Sequence, residues 1–103
     1  MKRTIEGRRF DTQTAEEIAS WDNGHYGGDF NRQQETLYKS PKGQYFVHGE
    51  GGALSAYAES HGNSRCGGES LWLVDEDQAF KWLLDHGLDS TAEEVFPQRV
   101  EEG

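Results

Sequence analysis

The residues best able to do chemistry together are His48, Glu50, His61 and Cys66, all in the middle of the chain. An imidazole beside a carboxylate can carry a proton, and a thiol activated by such a pair can attack an electrophile. The set would suit a small hydrolase or transferase. The surrounding sequence lacks the marks of that chemistry, because no nucleophile elbow and no cysteine-protease pattern surrounds Cys66 or any serine. His25, His48, His61, His86 and Cys66, with Glu50 or Glu59, also offer metal-ligating atoms. None has the close spacing of a zinc motif, either two Cys separated by two residues or two His on one helical face. The expectation is therefore no metal, no cofactor and no catalytic residue. Cys66 is the only cysteine, so no intramolecular disulfide can form, and it reads as a packed thiol.

The segment HGEGGALS, which begins at His48, has the glycines of a phosphate-binding loop, whose free N–H groups attract anions. It lacks the Lys-Ser/Thr ending, and Glu50 places negative charge where a phosphate would sit. Gly49 to Gly52 instead read as a bend that ends a strand.

Charge is more informative. Ten Lys and Arg stand against nineteen Asp and Glu, a net −9, which opposes attraction to a phosphate backbone and argues against nucleic acid as a partner. The excess is uneven: up to Gly51 the chain has seven basic and eight acidic residues, and after it three and eleven. Within the acidic half, Asp75, Glu76 and Asp77 form one cluster, Glu93 and Glu94 another, and Glu101 and Glu102 a third. Asp75 to Asp77 and Glu93-Glu94 are read at helix N-termini, where the helix dipole stabilises negative charge. These five residues are the candidate partner-binding set. The helix dipole leaves unexplained why only Arg65, Lys81 and Arg99 offset the acids after Gly51. So one-sided a surface could imitate nucleic-acid phosphates toward a basic protein.

The elements that must position these groups fit one domain over residues 1–103, the usual size for a single core. Apolar residues are only 33% of the chain, but its twelve aromatic residues supply large areas for burial. Thr4-Ile5 and Arg9-Phe10 flank Glu6-Gly7, which predicts a tight hairpin. Asp11, or Thr14 with Glu17, then predicts a capped helix with Ala15, Ile18, Ala19 and Trp21 as its buried stripe. Residues 22–34 read as a glycine-rich loop anchored by Tyr26 and Phe30. Glu35 to Ser40 and Gln44 to His48 read as a hairpin around Pro41-Lys42-Gly43 with both faces covered. Ala53 to Glu59 reads as a short helix and His61 to Gly68 as an irregular loop. Leu71 to Val74 reads as a central strand, with Trp72 substantially buried. Asp75 with Gln78 predicts a capping box for a helix that buries Ala79, Phe80, Leu83 and Leu84 and stops at His86-Gly87. Ser90 with Glu93 starts a last helix, stopped by Pro97, and the tail from about residue 98 is expected to fray. The predicted class is α+β, a small antiparallel sheet of hairpins covered by two to four helices.

Three stretches, EGRRFDTQTAEEIASWDNG, LYKSPKGQYFVHGEGGALSAYAES and LVDEDQAFKWLLDHG, cover most of the chain. Together they resemble short bacterial proteins of mobile elements and phages. The resemblance implies a non-enzymatic, protein-binding inhibitor of a host defence complex, of the anti-CRISPR kind, acting through an acidic surface. It carries over no catalytic or binding residue. The alternatives are a regulatory or scaffolding accessory protein of a mobile element, and the small enzyme built on His48, Glu50, His61 and Cys66. No apolar run approaches a membrane span and the N-terminus has no secretory pattern, so the expected location is the bacterial cytoplasm.

Overall fold

The computed structural model describes residues 1–24, 31–52, 59–61, 64–66 and 68–101. The chain is α+β. Strands β1 (Lys2–Ile5) and β2 (Arg8–Asp11) form an antiparallel hairpin, and β3 (Glu16–Asp22), β4 (Gln33–Lys39) and β5 (Tyr45–Gly51) follow. Next come the short antiparallel pair β6 (Glu59–His61) and β7 (Ser64–Cys66), then β8 (Gly68–Val74), helix α1 (Glu76–Asp85) and helix α2 (Asp89–Val95). The main sheet is fully antiparallel, in the order β3-β4-β5-β8.

Period-two alternation along β5 divides the core. Val47 points to the helices and joins Leu37, Val74, Ala79, Trp82, Leu83, Ala92 and Phe96 in one buried cluster. Phe46 points the other way and packs with Phe10 and Leu71, under the β1–β2 hairpin. The sheet is therefore covered on both faces, as the aromatic residues on both faces of the central hairpin predict. The first turn holds Glu6 at φ 52° and Gly7 at φ 80°, positive at both central residues as a twisted two-residue hairpin requires.

The first predicted helix is instead strand β3. Its apolar residues mimic a helical stripe because a bulge interrupts the ladder: Glu17 faces Tyr38 and Ala19 faces Leu37, leaving Ile18 as the extra residue. Ile18, Ala19 and Trp21 all pack on the helix-side cluster. An isolated helix this short is marginal, whereas pairing with β4 satisfies the backbone along the strand. The cap residues serve a turn: Asp11 Oδ1 accepts from Gln13 N at 2.9 Å, and the Asp11 carbonyl accepts from Thr14 N and Ala15 N.

Three further expectations change. Gly49 to Gly52 do not end the second hairpin strand, because Gly49, Glu50 and Gly51 continue β5 and pair with β8. Strand β8 lies at the sheet edge rather than its centre; its apolar run reflects cover on both faces, with Leu71 and Leu73 in the hairpin-side cluster and Trp72 and Val74 in the helix-side one, and Arg3 Nη1 donates to the Leu71 carbonyl at 2.6 Å. The described residues between His61 and Cys66 are strand rather than irregular loop, since β6 and β7 pair there in strands too short for alternation to be read. The anchors Tyr26 and Phe30, and the helix expected over residues 53–58, lie outside the described residues. Glu59, its expected last residue, belongs to β6.

Helix α1 starts as predicted: Gln78 N donates to Asp75 Oδ1 at 2.8 Å and Asp75 N to Gln78 Oε1 at 2.9 Å. It ends in a Schellman pattern, with Leu88 N donating to the Leu83 carbonyl at 2.8 Å and Gly87 N to that of Leu84 at 3.1 Å. The buried stripe differs from expectation. Ala79, Trp82 and Leu83 are buried, Phe80 is half-buried, and Leu84 is 46% exposed. Trp72 is half-buried and Trp82 takes the sequestered place, because a strand at the sheet edge covers its residues less completely than the helix–sheet interface does. Helix α2 begins after Leu88 with no side-chain cap, so Ser90 lies inside it, and Pro97–Arg99 forms a 3-10 turn.

Candidate functional site

The five candidate partner-binding residues fall into three different environments. Asp75 spends its carboxylate on the cap of α1. Glu76 and Asp77 occupy the first turn of α1, where the dipole stabilises them, and both are paired with Arg99 of the 3-10 turn. Arg99 Nε donates to Glu76 Oε1 at 3.2 Å and Gln98 Nε2 to the same oxygen at 3.1 Å. The bond to Glu76, aided by the charge of Asp77, holds the Arg99 guanidinium above its ordinary range against the effect of desolvation.

Glu93 and Glu94 correct the sequence reading most. Their spacing after Ser90 predicts a helix start, but α2 begins at Asp89, so both lie in its final turn, exposed and near the negative end of the helix. Asp85 closes α1 in the same way, and neither helix has a basic residue in its last turn. Residues 75–95 contain seven acidic side chains, all exposed, and one base, Lys81. The helices lie on one face of the sheet. On the other face the β1–β2 hairpin contains Lys2, Arg3, Arg8 and Arg9 against Glu6 and Asp11. Arg8 and Arg9 also line a cleft of about 360 Å³ with Thr14, Ser40 and Lys42.

A second group lies on the hairpin-side face. His48 and Glu50, two positions apart on β5, share that face with Phe46. Glu69 on β8 is the cross-strand partner of Glu50, and His48 Nε2 lies 2.9 Å from Glu69 Oε2. One ligand atom of each of the three residues lies within 4.8 Å of the other two. Nearby, Tyr38 stacks on Phe46 at a centroid distance of 5.3 Å. Burial pushes the Tyr38 phenol above its ordinary pKa and the charges of Glu17 and Glu50 add to this, while a hydrogen bond with Thr36 opposes it.

The proposed enzymatic set is only partly assembled among the described residues. His48 and Glu50 come together, with Glu69 as a third member that no sequence motif marks, because the register between β5 and β8 is set across a long connection. His61 lies on β6 and Cys66 on β7, and their side chains, like the whole of His25, fall outside the described part of the structure. His86 is elsewhere: its ring lies 4.5 Å from those of both Trp21 and Trp82, and its Nδ1 is 2.7 Å from the Trp82 carbonyl. No helix among the described residues is long and apolar enough to cross a membrane. Comparison of the chain with protein-family models, with curated proteins and with solved structures gives no match.

Proposed function

We propose that this protein acts by binding another protein, as a non-enzymatic inhibitor of a host defence complex in the bacterial cytoplasm. In this reading its acidic helical layer occupies a basic surface that otherwise holds nucleic acid. The observation that carries the proposal is the placement of Glu93 and Glu94. Both are exposed in the last turn of α2, where the helix dipole disfavours them. Their charge does nothing for the fold, so its use is sought in a partner. Asp85 and Asp89 extend the same exposed negative layer, and only Lys81 interrupts it. Such a field steers a basic partner and makes association depend on salt, while apolar contacts hold most of the affinity.

The test begins with affinity capture from a CRISPR-bearing bacterial host and a targeting assay, followed by association rates against ionic strength. For the parent chain the rate falls as salt rises, and nucleic acid competes with binding. Glu93→Lys with Glu94→Lys slows association and flattens the salt dependence, whereas Arg8→Glu with Arg9→Glu, on the opposite face, does not slow it. Rates indifferent to both salt and reversal of Glu93 and Glu94 would refute the proposal.

A further inference from the structure

The acidic helical layer makes no use of the group on the opposite face of the sheet. Glu50 and Glu69 sit directly across from each other on β5 and β8, where like charges on one face repel. His48 joins them: its Nε2 is 2.9 Å from Glu69 Oε2, and its side chain is only 17% exposed, so the strand holds the imidazole in place. The Glu69 side chain is 51% exposed, which leaves it room to rotate about its contact with His48.

We propose that His48, Glu50 and Glu69 bind a divalent transition-metal ion of the zinc class. The donor set is one imidazole nitrogen and carboxylate oxygens from two residues, which suits zinc with three protein ligands and one position left to water. The imidazole weighs against magnesium and calcium, which take oxygen ligands. The ligand atoms lie within 4.8 Å of one another, and around an ion with bonds of about 2.0–2.2 Å they would stand about 3.3–3.5 Å apart. Rotation of the glutamate side chains closes that gap without moving either strand. A dication also relieves the repulsion between the facing carboxylates. On binding, the proton held between His48 Nε2 and Glu69 leaves for Nδ1 or for solvent, the freed Nε2 lone pair meets the ion, and the hydrogen bond is exchanged for coordination by both residues. The spacing rules that look for close pairs on one segment cannot find this set, because one ligand comes from a strand reached only through β6 and β7.

The experiment titrates Zn²⁺ into the full chain in a non-chelating buffer, reading binding heat and thermal midpoint, with Co²⁺ absorption as a report on the ligand set. One equivalent binds and raises the midpoint. Glu50→Gln and Glu69→Gln each weaken binding at least about tenfold, and the double variant abolishes it, while Glu93→Gln has no effect. Without metal, Glu50→Gln melts at or above the parent temperature because the facing charges are gone, so its loss of binding does not report misfolding. Absence of saturable one-to-one binding, or binding that the Glu50/Glu69 double variant retains at parental affinity, overturns the proposal.

Discussion

The indole Nε1 of Trp82 on α1 donates to Oε1 of Glu35 on β4 at 2.9 Å, joining residues 47 positions apart across the helix–sheet interface. Trp82 is 8% exposed, so its N–H has little access to water. Replacing Glu35 with Ala removes the acceptor and is expected to destabilise the fold by about 1–3 kcal/mol. Glu35→Gln retains a carbonyl oxygen and loses far less. Urea denaturation of the two variants checks this, and equal losses would show that the bond contributes nothing specific.

Phe46 is fully buried between the rings of Phe10 and Tyr38, at centroid distances of 5.7 and 5.3 Å. Phe46→Ala is expected to lower stability by about 3–5 kcal/mol, the range for a large core aromatic. Trp72→Ala should be milder, since Trp72 is half-buried at the sheet edge. Thermal or denaturant unfolding ranks the two, and a larger loss for Trp72 would contradict this division of the core.

Both ends of α1 depend on single residues. Asp75→Ala breaks the capping box and is expected to lose about 1 kcal/mol. Gly87 has φ 72°, so Gly87→Ala introduces a side chain where the left-handed backbone disfavours one, at a loss of about 1 kcal/mol. Asp75→Lys is therefore a poor probe of partner binding, since it damages the fold. Glu93→Lys and Glu94→Lys place positive charge in the final turn of α2 and should leave the melting temperature unchanged or raised. Melts of these variants separate structural from functional acids.

Tyr38 sets an alkaline limit. Its pKa is raised in the folded state, chiefly by burial, so the folded chain holds this proton more tightly than the unfolded chain does. The stabilisation is complete below the unfolded value near 10.0 and is lost as pH rises through the higher folded value. Ultraviolet titration of phenolate should show a late step that Tyr38→Phe removes. That variant should also lose less stability than the parent on moving above pH 10.

Local chemistry made much of this fold legible. Glu6-Gly7 and Pro41-Lys42-Gly43 specified turns through backbone preferences, Asp75 with Gln78 specified a helix start, and Gly87 a helix end. Alternation at Phe46 and Val47 is enough to show that both sheet faces are covered. Where a tertiary partner decided the outcome, the sequence misled. Ile18, Ala19 and Trp21 have helical spacing only because a bulge forced by pairing with β4 turns Ile18 toward the helices. Leu71 to Val74 are apolar because two layers cover an edge strand, a fact about packing that no run of residues encodes. Glu93 and Glu94 changed meaning with the start of α2, since the same charges are stabilised at one end of a helix and opposed at the other. The class of the fold, its turns, the caps of α1 and the acidic excess follow from local residue chemistry. Tertiary structure alone decided which strands pair and in what register, and so brought Glu69 to His48 and Glu50, because a long-range register follows from packing the whole sheet.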